Sequence, residues 1–257
     1  MFNHISDQMK QTGRRFPSVK KIIFTGGSLS RELADRLLRQ FEPTSFRILY
    51  GLSEAVAPVT YTPANQICFD NIGFPGCNMQ MKVIDKETGL PLGHLEHGEL
   101  CVRTPSVIRG YFTKGQRPLP AADNDGWIHT GDLGYYNDDG SFQFVERLKN
   151  IIKCFDYNVA PCEIEAVLLK HPNVAEAVVI GTPHSVCGEA PTAFVVRTEE
   201  PALDATTAEN ELKELVAGEL ASCKHLYGGV FFVDSIARTA NGKISREKMK
   251  QYLKSLP

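Results

Sequence analysis

Between Val19 and Tyr50 the chain alternates in a way that few folds accommodate. Val19 to Thr25 is a short apolar run that ends in the paired glycines Gly26-Gly27. Ser30 to Phe41 then repeats apolar residues at helical spacing, and Ser45 to Tyr50 is a second apolar run entering Gly51-Leu52-Ser53-Glu54. Strand, turn, helix and strand in that order predict parallel strands joined by a helix, the unit of α/β architecture. Loops at the strand ends of such sheets are where ligands bind, so both glycine turns are candidate site segments.

From Asn71 to Phe144 the pattern shortens to MQMKVID, GELCVRT and SFQFVE, separated by Gly, Pro and Asp-Gly turns. This predicts a small, largely antiparallel β region. After Arg147 a compact unit follows, with helices expected at Pro161–Lys170, Ala208–Leu220 and Ser245–Leu256 and strands at Val174–Ile180, Ala190–Arg197 and Gly229–Val233. The Ala/Thr/Glu-rich stretch near 199–209 reads as a surface loop. The expected fold class is α/β, with an α+β C-terminal domain, and the expected domains are 1–148 and 149–257.

With 257 residues, 42% of them hydrophobic, the chain is long enough to bury one or two cores. A formal net charge of −2 supplies no general attraction to nucleic acid or to an anionic membrane, so any basic site has to be local. The seven cysteines form no C-x-x-C pair and have no zinc-like histidine spacing, which suggests reduced intracellular thiols. The opening MFNHISDQMKQTGRRFP has no apolar core of a signal peptide, and no run reaches the ~18 apolar residues of a membrane span. A cytoplasmic location is expected, and the KSLP end is not the S-K-L peroxisomal address.

Each candidate motif has two readings when taken alone. Thr25-Gly26-Gly27-Ser28 is a tight turn or a ligand-approach loop. Gly51-Leu52-Ser53-Glu54 is a helix start with an acidic first turn, or a glycine that admits a ligand followed by a hydroxyl and a carboxylate. In Thr130-Gly131-Asp132 the Asp caps a β-turn or accepts hydrogen bonds from a sugar diol. Arg147 is a surface ion-pair residue or a fixed cation for sugar hydroxyls or phosphate. Lys243, on the Gly242 turn, is a solvated lysine or a point charge aimed at a developing anion. Lys149 and Lys153 make an exposed basic patch on the plain reading.

Order and spacing add a further argument. Gly26-Gly27, Tyr50-Gly51-Leu52-Ser53-Glu54, Gly98-Glu99-Leu100-Cys101-Val102 with Gly110-Tyr111, and Thr130-Gly131-Asp132 occur in that sequence. Glu146-Arg147-Leu148-Lys149, Val159-Ala160-Pro161-Cys162-Glu163-Ile164-Glu165, and Arg238-Thr239 with Gly242-Lys243-Ile244 complete it. This series resembles the adenylate-forming family of acyl-CoA synthetases, coumarate:CoA ligases, peptide-synthetase adenylation domains and beetle luciferases. The wording around residue 149 is closest to the coumarate ligases and luciferase-like synthetases. The resemblance runs over nearly the whole chain after Val19. It makes 1–148 the C-terminal part of an AMP-binding domain and 149–257 its small mobile domain.

The resemblance implies activation of a carboxylic acid with ATP and Mg2+ to an acyl-adenylate, then transfer to CoA. It gives Tyr50 and Gly51 to the adenine, with Gly26 and Gly27 also at the nucleotide. Ser53 and Glu54 go to phosphate and magnesium, and Asp132 with Arg147 to the ribose. It implies that Lys243 bridges the carboxylate and the α-phosphate, that Lys149 is the hinge, and that Lys153 lies on the thioester-forming face.

The sequence departs from the family in four places. No Ser/Thr/Gly-rich loop followed by lysine is present to cradle the β- and γ-phosphates, so little activity is expected without a complementary N-terminal half. Asp156 stands where the family has glycine, where a carboxylate would hinder thiol transfer. Ala237 replaces a proline, which should loosen its turn, and the turn at Ser28-Leu29 is one residue short. A non-catalytic nucleotide- or acyl-binding protein and a luciferase-type monooxygenase are the alternatives.

Overall fold

The computed structural model describes residues 2–27, 29, 31–112, 119–198, 204–240 and 242–255. The expectations at Ser28, Asn241, residues 199–203 and the Leu256-Pro257 end lie outside these. The chain divides into two compact units, Met1–Val145 and Glu146–Pro257.

The first unit opens with α1 (Phe2–Thr12), β1 (Lys21–Thr25), α2 (Arg31–Phe41) and β2 (Ser45–Gly51). The strands β3 (Pro58–Tyr61), β4 (Ile67–Cys68) and β5 (Phe74–Pro75) follow. These strands form one sheet in the order β1-β2-β3-β5, with β4 also on β2. The β1–β2 pair is parallel, with Ile22 opposite Phe46, as the strand–helix–strand pattern requires. The sheet as a whole is mixed, because β3 returns antiparallel through the short connection after Gly51. Ile22 and Phe24 alternate inward from β1 and meet Leu33, Ala34, Leu37 and Phe41 of α2 and Met9 of α1. That stripe is why α2 forms where its spacing indicates. Helix α1 is not among the elements expected from the sequence; Met9 and the partly buried Ile5 seat it on this core.

The second sheet of this unit has the order β6 (Gln80–Ile84), β7 (Gly98–Arg103), β8 (Ile128–Tyr136), β9 (Phe142–Arg147). The Thr130-Gly131-Asp132 motif, read from sequence as a turn, lies inside β8. Gly98 of β7 and Gly134 of β8 are register partners. A Cβ on Gly98 would lie 2.2 Å from the Ile84 carbonyl oxygen, and one on Gly134 would lie 2.3 Å from that of Gln143. Neither position has room for a side chain.

In the second unit, β10 (Ile152–Cys154) and β11 (Tyr157–Val159) form a hairpin. Then come α3 (Pro161–Leu168), β12 (Val174–His184), β13 (Gly188–Arg197), α4 (Ala205–Glu219), β14 (Val230–Phe232) and α5 (Arg246–Ser255). The sheet order is β11-β10-β13-β12, with β14 parallel to β13. Ala177, Val179, Ala193 and Val195 face α3 and α4, while Val178, Ile180 and Phe194 face Met249 of α5. Both faces are covered, so residues 177–180 and 193–196 are continuous apolar runs without alternation. Strand β12 continues past Ile180 because Thr182 and His184 still pair with Ala190 and Gly188. Helix α4 starts before Ala208 because the Asp204 carboxylate accepts the Thr207 N–H at 2.9 Å as its cap.

Gly98→Ala and Gly134→Ala are each expected to lower unfolding free energy by about 1–3 kcal/mol, the usual cost of overpacking. Urea denaturation measures it.

Candidate active site

Thr25, Gly51, Leu52, Ser53, Val56, Ala57 and Pro58 line an open cleft of about 480 Å³ at the ends of β1 and β2. A Cβ on Gly51 would lie 3.0 Å from the Pro58 Cα and 3.2 Å from the Ala57 carbonyl oxygen, so glycine lets the chain fold back on itself there. Ser53–Ala55 is a single 3-10 turn, not the start of a longer helix. It closes on Val56, whose φ of +63° is a left-handed conformation that β-branched residues rarely adopt. Strain of this kind, on the order of 1–3 kcal/mol, gathers at functional sites. Gly26 has a φ of +78° and lies exposed with Gly27 after β1.

Tyr50 and Asp132, 82 residues apart, meet in this unit: the Tyr50 hydroxyl donates to Asp132 Oδ2 at 2.6 Å. Asp132 is only 2% exposed, because β8 bulges there. The β7–β8 register shifts by two residues between the Glu99–Leu133 and Cys101–His129 pairs, and Gly131 takes a φ of +68° within the bulge. The Glu99 side chain holds the bulge open by accepting the Gly131 N–H at 2.9 Å. The Thr130 hydroxyl donates to the Leu100 carbonyl at 2.7 Å and accepts the Asp132 N–H at 3.0 Å. Glu99 was visible in sequence only as one letter of a motif, and its role as a brace depends on the strand pairing.

Glu54 has a partner the sequence did not reveal. The Tyr111 hydroxyl donates to Glu54 Oε1 at 2.5 Å, and the Ile108 N–H donates to the Glu54 carbonyl at 2.9 Å. The hydrogen bond to Glu54 raises the Tyr111 phenol above its ordinary value. In the β7–β8 pair, His129 Nδ1 is 3.1 Å from Glu99 Oε2 and Nε2 is 3.3 Å from Asp123 Oδ2. The hydrogen bond to Glu99 is the main cause that holds the His129 imidazolium above its ordinary value. Cys101 Sγ is 3.6 Å from His129 Nδ1, but burial pushes that thiol up to about 12, so it is held protonated.

The second unit carries the four expected cations. Arg147 is exposed at the end of β9, and Lys149 is exposed on the 3-10 turn Leu148–Asn150. Lys153 is exposed on β10, with its backbone N–H donating to Glu189 Oε2 at 3.0 Å. The β10–β11 turn keeps left-handed backbone at Phe155 (φ +48°) and Asp156 (φ +63°), so its shape persists without the family's glycine. Lys243 is exposed on a tight turn, closed by the Thr239 N–H donating to the Lys243 carbonyl at 2.7 Å and by Gly242 at φ +79°. Ala237 is tied where loosening was expected: its N–H, which a proline would lack, reaches Met249 Sδ at 3.3 Å.

Tyr50→Phe removes a hydrogen bond to a buried carboxylate and is expected to cost about 1–3 kcal/mol in urea denaturation. For His129 the folded value is raised. Its contribution to stability is fully present below the ordinary 6.5 and is lost as pH rises through the folded value. His129→Asn is expected to flatten that decline in melting temperature.

The AMP-binding enzyme family matches residues 1–112, and the AMP-binding enzyme C-terminal domain matches 163–243. Luciferin 4-monooxygenase of Photinus pyralis is 36% identical over 236 residues, covering 92% of this chain and 42% of that protein. 4-Coumarate–CoA ligase of Pinus taeda is 37% identical over 245 residues, covering 92% of this chain and 44% of that protein. The chain thus spans less than half the length of these relatives. ATP-bound MatB from Rhodopseudomonas palustris superposes with a TM-score of 0.80 at 27% identity, over 91% of this chain and 45% of that one. o-Succinylbenzoate CoA synthetase (MenE) from Bacillus subtilis, in complex with its acyl-adenylate, gives 0.78 at 27% identity over 96% and 49%. The mixed α/β fold, the ordered motifs and these matches agree, and the chain belongs to the AMP-binding, adenylate-forming enzyme family.

Proposed function

We propose that this chain takes part in ATP-dependent activation of a carboxylic acid and its transfer to CoA, as an acyl- or aryl-CoA ligase. The observation that carries the reading is the Tyr50–Asp132 hydrogen bond, which joins two separate motifs beside the glycine-lined cleft. The groups available suit a nucleotide: glycine backbone at 51, a hydroxyl at Ser53 and a carboxylate at Glu54 already oriented by Tyr111. Hard oxygen donors of this kind suit Mg2+, whose charge would offset that of the phosphates. On this reading Gly26, Gly27, Tyr50, Gly51 and Ser53 receive ATP, Glu54 holds the metal, and Asp132 and Arg147 hold the ribose.

The chemistry needs positive charge, because one anion attacks another. A carboxylate oxygen attacks the α-phosphorus, the bond to the β-phosphate oxygen breaks, and pyrophosphate leaves. Lys243 would sit between the two reacting groups and stabilise charge as the transition state forms. In the second step the CoA thiol loses its proton, sulfur attacks the acyl carbon and AMP leaves. Rotation about Lys149 would exchange the Lys243 face for the Lys153 face, each closing over one half-reaction.

A complementary N-terminal half is part of the proposal, since the sequence has no Ser/Thr/Gly-rich loop followed by lysine for the outer phosphates. So is a cytoplasmic site of action; no helix among the described residues is long and apolar enough to cross a membrane.

With ATP, magnesium and a panel of fatty and aromatic acids, pyrophosphate release is expected, with a thioester detected by mass spectrometry once CoA is added. Lys243→Ala is expected to lower release on the order of 10²-fold or more with the circular dichroism unchanged. Undiminished release in that variant would sink the assignment of the lysine. Light from luciferin would favour the monooxygenase reading instead.

A further inference from the structure

Three side chains of the second unit form a charged cluster that the proposed chemistry does not use. Arg246 at the start of α5 places Nη2 2.6 Å from Glu165 Oε1 on α3 and 3.5 Å from Glu146 Oε2 at the end of β9. Its Nε donates to the Val179 carbonyl at 3.3 Å, and the Val179 N–H donates back to Glu165 Oε1 at 2.8 Å. The side chains are 18%, 14% and 8% exposed for Arg246, Glu165 and Glu146, so little water screens them. Glu146 Oε1 accepts the Arg147 N–H at 2.8 Å and the Asn150 side-chain amide at 3.0 Å. One guanidinium therefore serves two carboxylates, and the second carboxylate is tied across the turn that contains Lys149.

The two ties differ with respect to that turn. Glu165, Val179 and Arg246 all follow Lys149 in the chain and pack in the same unit. Glu146 precedes it. A change in the backbone torsions of Lys149 carries Glu146 as one body relative to Arg246 and Asn150, but it leaves Arg246 and Glu165 together. Arg246 thus keeps a carboxylate partner throughout, and the buried cation is never orphaned. Opening releases the long Glu146–Arg246 ion pair and the Asn150 hydrogen bond to water while the Arg246–Glu165 pair stays, as a two-state element requires.

We propose that Glu146 and Arg246 form a latch across the hinge, made in one orientation of the C-terminal unit and broken in the other, which sets the balance between the two half-reactions. This rests on the reading of Lys149 as the hinge. Arg246 is then a positioning residue: it touches no substrate and acts through the Glu146–Asn150 segment.

Arg246→Gln would strand the buried Glu165 and risks unfolding, so the test uses Glu146→Gln. That variant keeps the amide oxygen for Arg147 and Asn150 but loses the charge. Asn150→Ala removes the other tie. Trypsin cuts after Arg147 and Lys149, and its rate at these bonds tracks how often the segment opens. Cleavage there is expected to rise about tenfold in Glu146→Gln, and less in Asn150→Ala, with the melting temperature of the whole chain nearly unchanged. Unchanged cleavage in both variants overturns the latch.

Pyrophosphate release and thioester formation, measured separately, are expected to move in opposite directions in Glu146→Gln. A parallel fall in both would mean a merely structural ion pair and would also overturn the latch. Absence of pyrophosphate release in wild type and variant alike would count against the proposed function, and the cleavage rates would still decide the latch.

Discussion

The buried carboxylate of Asp132 constrains the first unit more than any other group. A carboxylate removed from water has to be hydrogen-bonded or its burial is strongly unfavourable. The Tyr50 phenol from the other sheet donates to one of its oxygens, and a strand bulge with a left-handed glycine and a second acidic residue set its backbone. Gly131 bends β8, Glu99 and Thr130 fix the bend, and the Tyr50 hydroxyl reaches Asp132 across it. Tyr50 also packs on the cores around Val59 and Val83. The same residue therefore joins the two sheets mechanically and connects them to the cleft beside Gly51.

The second unit solves a different problem. Its central strands are apolar on both faces, so helices cover both. The exposed lysines at 149, 153 and 243 stand on a 3-10 turn, a hairpin strand and a closed turn respectively. Each sets an exposed ammonium apart from the apolar core. That division suits groups that meet a substrate only in part of a cycle.

Much of this was legible along the chain. The strands around Ile22 and Phe46 and the helix between them follow from apolar spacing, because each has one face on a core and the period records it. The same holds for residues 177–180, where consecutive apolar residues mark a doubly covered strand. Other elements were misread or missed for physical reasons. Helix α1 carries Ile5 and Met9 one helical turn apart, a short signal that went unread beside the stronger run from Val19. Strand β8 carries Gly131 and Gly134, which signal turns locally but here serve a bulge and a close approach to Gln143. The end of β12 was hidden by Gly181 and Pro183, since breakers are tolerated when the partner strand supplies a ladder.

The order of the motifs, the family they mark and the residue types available at the cleft and on the second unit are written along the chain. These are properties of neighbours in the chain, and local spacing records them. Which of those residues meet is set by the folded arrangement alone. Tyr111 on Glu54, Glu99 on the Gly131 amide, and Arg246 between Glu165 and Glu146 join positions that are 57, 32, 81 and 100 residues apart. A single sequence carries no mark of such pairs, because each is fixed by strand register and helix docking rather than by the residues beside it.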